Sequence, residues 1–293
     1  MKRLFSLILA FALALPDAFP QDRVSAIRSR LLAPDDGSVL VAAHRGCWKS
    51  VPENSVPAIE AAVAAGADIV EIDVRKTLDG QLVLMHDASV GRTTDGSGKV
   101  ASMTLEQIRK LHLLQDGKPS DERVPTLEEA LLAAKGKVML NLDKAFGYFD
   151  EVYALARRTG TLDHIIIKGS CPASVALERM GERRDSVIFM PIVNLRKSYS
   201  RIYEYLAVFP VPMFEFIWPG GDSGYARAAK VLLGGRSRIW YNTMWAKLCG
   251  GKDDSRALKD PDANWGYLID FLGAGALQTD ESASMAGYLR SRR

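Results

Sequence analysis

Residues 39–74 read VLVAAHRGCWKSVPENSVPAIEAAVAAGADIVEIDV. Val39 to Ala43 are apolar throughout, as expected of a strand buried on both faces. Turn residues follow at Arg45-Gly46 and Pro52-Glu53-Asn54. From Ser55 to Gly66 apolar side chains recur at helical spacing, with a serine placed to cap the first turn and a glycine to end the last. A second extended run begins at Ile69. Strand, helix and strand in so short a span make the unit of a parallel sheet, because parallel neighbours need a crossover connection.

The same alternation continues outward. Short apolar runs occupy 39–43, 69–74, 138–142, 165–168, 187–193, 213–217, 239–242 and 276–279. Helical spacing fills most of the intervals, at 126–136, 149–159, 173–180, 198–207, 223–233, 264–272 and 281–290. Thr126 and Glu129 form a capping-box pair. Eight strands alternating with helices predict a TIM (β/α)8 barrel, a single domain over 37–293. After the second strand, Thr77-Leu78-Asp79-Gly80 and the run 82–85 predict a hairpin ending at His86. Residues 87–124 then form an insertion with a helix near 105–113, which carries His112 on its surface. His164 falls in a loop.

The chain has 293 residues, 47% hydrophobic and 25% charged, with a formal net charge of +3. Apart from a short run at Arg290, Arg292 and Arg293, no dense basic block stands behind that charge, so nucleic acid is not an expected partner. Lys2 and Arg3 precede an apolar run from Leu4 to Leu15, the layout of a signal peptide over residues 1–20. The run is too short to span a bilayer. Export to the periplasm or the medium is expected, without stable membrane insertion once the signal is removed. Cys47, Cys171 and Cys249 suit neither a disulfide framework nor a zinc site, although one disulfide remains open. Nothing in the sequence sets an oligomeric state.

In such barrels the chemistry collects at the carboxyl ends of the strands. His44 and Arg45 end the first run, Asp143 the third and Lys168 the fourth, while His86 follows the hairpin. Glu71 and Asp73 are two apart on the second run and so share one face. Three carboxylates at one mouth call for a divalent cation, and all-oxygen ligands favour Mg2+ or Ca2+. Two imidazoles supply a base and an acid near neutral pH. Arg45 and Lys168 offer charge to an anion, so a small phosphodiester fits the set. Glu53 and Trp240 are candidates for supporting the site. Trp218, Trp240, Tyr241 and Trp245 could wall the alcohol portion of a substrate or pack the outer shell equally well. The acidic loop 249–262 and Glu215 are left open between site and solvent. Cys47 is read as a packing residue.

His44-Arg45-Gly46, Pro52-Glu53-Asn54-Ser55, Glu71-Ile72-Asp73, Asp79-Gly80, His86-Asp87, Arg92-Thr93-Thr94 and Gly98 follow one another in an ordered series. Together with Val124-Pro125-Thr126-Leu127-Glu128-Glu129 and Gln278-Thr279-Asp280, this series resembles the glycerophosphodiester phosphodiesterase family. The resemblance runs from about Val39 to Leu289. It implies a TIM barrel that hydrolyses glycerophosphodiesters to an alcohol and glycerol 3-phosphate, with Ca2+ or Mg2+. It further implies His44 and His86 as the catalytic pair, Arg45 and Lys168 as phosphate contacts, and Glu71, Asp73 and Asp143 as metal ligands. The path it implies runs through a cyclic phosphate that water opens. Two positions depart from the family's usual residues, Asp143 for glutamate and Ser55 for threonine. A lyase that stops at the cyclic phosphate and a noncatalytic barrel that binds phosphorylated ligands are the alternative readings.

Overall fold

The computed structural model describes residues 23–220 and 223–292. The expected signal segment lies outside the described residues. The strands are β1 (Leu40–His44), β2 (Ile69–Lys76), β3 (Leu82–Leu84), β4 (His112–Gln115), β5 (Lys118–Arg123), β6 (Met139–Asp143), β7 (Ile165–Gly169), β8 (Ile188–Asn194), β9 (Met213–Ile217), β10 (Arg238–Asn242) and β11 (Ala274–Thr279). Around the ring the order is β1, β2, β6, β7, β8, β9, β10 and β11, every neighbour parallel, and the pairing of β1 with both β2 and β11 closes it. Each barrel strand begins and ends within two residues of the run expected from sequence. β3 folds back antiparallel on β2, as the turn at Asp79-Gly80 predicts.

Side-chain parity sorts the barrel into layers. On β1 the outward Val41 and Ala43 face the helices, while Leu40 and Ala42 point inward and lead up to His44. On β2, Val70, Ile72 and Val74 face outward, which turns Ile69, Glu71 and Asp73 to the interior. The lower interior is apolar, built from Leu40, Ile69, Met139, Ile166, Met213 and Trp240. Polar residues succeed them toward the carboxyl ends, where His44 pairs in register with Glu71, and Asp73 with Asp143.

The packing starts earlier than residue 37. A helix at Arg23–Leu32 presents Val24, Ile27 and Leu31 to the open lower end of the barrel and stoppers it. Arg238, at the inward start of β10 and 2% exposed, ties this helix down. Its guanidinium donates to the carbonyls of Arg30, Leu31, Ala33, Ser38 and Gly275 and to Asp36 at 2.6 Å.

Two expectations change in the insertion and beyond it. The inserted helix is only Leu105–Arg109, capped by Thr104, and His112 starts strand β4 instead of lying on that helix. Asp116 and Gly117 both have positive φ, 51° and 75°, which closes the tight β4–β5 hairpin. The His112 Nδ1 lies 2.6 Å from the Ser120 carbonyl within that hairpin. His164 is buried in a short turn, where its Nε2 accepts the Gly136 N–H at 2.9 Å. All three cysteines are free thiols. No described helix is long and apolar enough to cross a membrane.

Candidate active site

His44 ends β1 almost fully buried, and its Nδ1 lies 2.8 Å from Asp280 Oδ1. The Trp48 indole donates to the same oxygen at 2.8 Å, leaving His44 Nε2 as the ring nitrogen available for chemistry. Burial opposes ionisation of Asp280, but the His44 contact and the Trp48 hydrogen bond outweigh it and hold the carboxyl below its usual range. Asp280 is itself positioned by buried Asp254, which accepts the Asp280 N–H at 2.9 Å along with the Thr243 hydroxyl and the Trp265 indole.

His86 stands on the hairpin side of the mouth with its side chain 37% exposed. Its Nδ1 lies 2.6 Å from Asp87, and its carbonyl accepts Arg75 Nη2 at 2.7 Å. The Arg92 hydrogen bond first, and His86 second, keep the Asp87 carboxyl far below the usual range although burial opposes them. Arg92 also grips Glu53 at 2.8 and 2.9 Å, and Arg45 reaches the same carboxylate at 3.0 Å. Glu53 therefore joins the two loops that carry the histidines.

Glu71, Asp73 and Asp143 each offer an oxygen within 4.8 Å of the others. Asp73 exchanges two 2.9 Å hydrogen bonds with Asn54, and Glu71 accepts the Arg45 N–H at 3.1 Å. Burial, reinforced by the charge of Asp73, pushes the Glu71 carboxyl up to about 7. Lys144 lies against the pair, with Nζ on Asp73 and 3.0 Å from Asp143. Lys168, 5% exposed, lies 3.8 Å from both Glu71 and Asp143 and 3.2 Å from Glu215. Its charge and that of Lys144 hold Asp143 far below the usual range against the opposing effect of burial.

The backbone here is unusual in a consistent way. Among the described residues, Arg45, Asn54, Asp116 and Lys144 are the non-glycine residues with positive φ, and Arg45 (53°), Asn54 (54°) and Lys144 (61°) border the carboxylates. Gly46 is required where this loop crosses the next helix, because a Cβ there would lie 2.7 Å from the Ala58 backbone.

Of the four aromatics open between a substrate wall and packing, three are packed and one is open. Trp218 and Tyr241 are buried outside the barrel. Trp240 is inside it below the mouth and touches the site through a relay: its indole donates to Asn242 at 2.8 Å, Asn242 donates to Glu215 at 2.8 Å, and Lys168 donates to the other Glu215 oxygen. Trp245 alone of the four stays open, edge-on to His44 with ring centroids 5.5 Å apart.

A family model described as the glycerophosphoryl diester phosphodiesterase family matches residues 44–158, the stretch from His44 to the helix after β6. Over the whole barrel the chain superposes on a glycerophosphoryl diester phosphodiesterase from Parabacteroides distasonis with a TM-score of 0.74 and 25% identity, covering 92% of each chain. Residues 44–158 thus carry the family's sequence pattern, and the barrel carries its fold. The chain is 47% identical over 117 residues to glycerophosphodiester phosphodiesterase 1 of Mus musculus, covering 38% of this chain and 30% of that one. A glycerophosphodiester phosphodiesterase of Caldanaerobacter subterraneus is 51% identical over 92 residues, covering 31% of this chain and 38% of that one. The matched stretch is thus about a third of the length of these curated relatives. A phosphodiesterase of Oleispira antarctica, whose structure holds the product sn-glycerol-3-phosphate, shares the fold at a TM-score of 0.65 and 21% identity, covering 88% of this chain and 99% of that one. A second model, described as a domain of unknown function, matches residues 189–289.

The phosphodiesterase family match takes in the two histidines and the three carboxylates, whereas Lys168, Trp245 and Asp280 lie beyond it. Sequence reasoning gave no role to Asp280, Asp87, Arg92 or Lys144. For Asp280 a signal was present, since it follows the last strand as Asp143 ends the third.

Proposed function

We propose that this chain is a metal-dependent phosphodiesterase that hydrolyses glycerophosphodiesters to an alcohol and glycerol 3-phosphate. The observation that carries the reading is one barrel mouth holding two histidines, each set by an aspartate at Nδ1, around three clustered carboxylates. The naming of the mouse and Caldanaerobacter relatives and the product bound to the Oleispira protein support the same activity.

The carboxylates fit a Mg2+ or Ca2+ ion. All their donors are hard oxygens, and burial together with the charge of Asp73 raises the Glu71 carboxyl, an effect that a bound cation would oppose. When bound by Glu71, Asp73 and Asp143, such an ion would offset charge on the phosphoryl oxygens. Arg45 and Lys168 bring fixed positive charge to the same anion. One histidine Nε2 takes the proton of the attacking hydroxyl, of the substrate's glycerol or of water, and the other returns a proton to the departing alcohol oxygen. Asp280 and Asp87 keep each ring in the tautomer and orientation this requires. Export is part of the proposal and is supported by Lys2, Arg3 and the apolar run 4–15. N-terminal mass analysis of the secreted protein tests it: a chain still beginning at Met1 would refute cleavage.

The activity is tested by phosphorus NMR of the protein with glycerophosphodiesters in Mg2+, in Ca2+ and in chelator. Glycerol 3-phosphate appearing only with metal is the expected result. A cyclic phosphate as end product would make the enzyme a lyase, and binding without turnover would make it a noncatalytic barrel.

Lys144 competes for the oxygens such an ion needs. Lys144→Met is expected to tighten Mg2+ or Ca2+ binding on the order of tenfold, about 1.4 kcal/mol, the modest size reflecting a partly exposed ammonium. Titration calorimetry reads this directly, and unchanged affinity would mean that Lys144 leaves the carboxylates at no cost.

A further inference from the structure

Trp245 is 46% exposed while Trp218, Trp240 and Trp265 are buried. This open indole stands edge-on to His44, with ring centroids 5.5 Å apart. Its loop is firmly built. The Leu248 N–H donates to the Trp245 carbonyl at 2.9 Å, the Trp218 N–H to the Leu248 carbonyl at 2.9 Å, and the Gly250 N–H to the Trp218 carbonyl at 2.7 Å. Gly250 has φ of 62° and passes so close to the Trp218 ring that a Cβ would lie 2.4 Å from it. Beside the indole is a recess of about 510 Å3 lined by Trp245, Ala246, Lys247 and Leu248.

The mouth is chemically lopsided. Trp245 follows β10, and β10 lies across the barrel from β6, four strands away in either direction round the ring. On the β6 side a recess of about 350 Å3 is lined by Asp143, Lys144, Lys168 and Ser170 among others. The hairpin side adds Glu53, His86, Asp87 and Arg92. Glycerol and phosphate, with their hydroxyls and charge, belong on that polar half. What remains for the β10 side is the alcohol.

Among the described residues the lip offers little to a cation. Asp280 is committed to His44 and Trp48, Glu281 to Lys49, Asp253 to Arg256, and Asp254 to Thr243 and Trp265. Lys247, exposed on the lip itself, repels a positive head. We propose that the Trp245–Leu248 lip is the leaving-alcohol subsite and that it takes an uncharged apolar chain in preference to a small cationic head. This rests on the phosphodiesterase reading above and deepens it. An alkyl chain lying on the indole buries CH2 groups that water would otherwise hydrate, and each adds to the selectivity.

The test compares kcat/KM for glycerophosphohexanol, glycerophosphocholine and a hexanoyl lysophosphatidylcholine, all kept below micellar concentration, with Mg2+ and with Ca2+. The hexanol diester is expected to exceed the choline diester at least tenfold. Trp245→Ala should bring that ratio close to one, Trp245→Phe should keep most of it, and Leu248→Ala should lose part. Ratios cancel any general effect of the substitution on His44. A hexanol preference that Trp245→Ala leaves intact would overturn the proposal. So would a choline preference that the substitution abolishes, which would make the indole a cation-holding wall. A gain for the chain on glycerol rather than on the alcohol would place the lip on the wrong half of the substrate. Turnover without chain preference defeats this inference alone, whereas no turnover of any diester defeats the phosphodiesterase reading and this one with it.

Discussion

His44→Ala is expected to lower kcat by roughly a hundredfold to ten-thousandfold, the range for loss of a positioned proton donor or acceptor, with the melting temperature little changed. His86→Ala should cost a similar factor. The double variant should fall little further than the worse single one, because the effects of residues acting as a unit do not add. Initial rates of glycerol 3-phosphate release measure all three. The geometry behind this is the pairing of each Nδ1 with an aspartate, 2.8 Å at His44 and 2.6 Å at His86, which leaves each Nε2 to the substrate. A His86→Ala enzyme running at the parent rate would reduce the site to one histidine and make the Asp87–Arg92–Glu53 chain a loop brace only.

Arg238→Ala should act on stability instead. The side chain donates to five carbonyls and one carboxylate while 2% exposed. Removing it strands those acceptors under the stopper helix Arg23–Leu32 and leaves Asp36 without its buried partner. A buried acceptor left without its donor costs about 1–3 kcal/mol, so losing several of these bonds lowers the melting temperature on the order of 10 °C for a chain of this size. Thermal unfolding followed by circular dichroism reads the shift, and kcat of the folded fraction should be unaffected because Arg238 lies at the end of the barrel remote from the histidines. A shift within one or two degrees would mean that water satisfies the stranded carbonyls.

The barrel was legible because its strands are covered on both faces, so that they stand out as unbroken apolar runs such as Ile165-Ile166-Ile167. Residue parity along those runs also places Glu71 and Asp73 on one face. The insertion was harder to read. Its strand β5 is Lys118-Pro119-Ser120-Asp121-Glu122-Arg123, with no apolar alternation, and only the Asp116-Gly117 turn marks the hairpin. The stopper helix carries Val24, Ile27 and Leu31 at helical spacing, but arginines crowd the same ten residues and hide the stripe. The tryptophans stayed open between wall and packing for a different reason. Sequence places Trp218, Trp240 and Trp245 near strand ends, but parity and the turn after each strand decide which indole points inward, outward or across the mouth. Lys144 escaped notice because a residue directly after an inward aspartate should face away from the site, and only its left-handed backbone swings the ammonium back over the carboxylates.

That backbone sets stability against positive charge at the mouth. Arg45 and Lys144 are long L side chains held where a chain without a Cβ would sit more comfortably, at a cost of about 1–2 kcal/mol apiece. Glycine at either position would relax the loop while erasing a cation aimed at the carboxylates. A population selected for heat resistance alone would therefore drift toward glycine at 45 and 144, and its hardiest members would be those with the least charge left at the mouth.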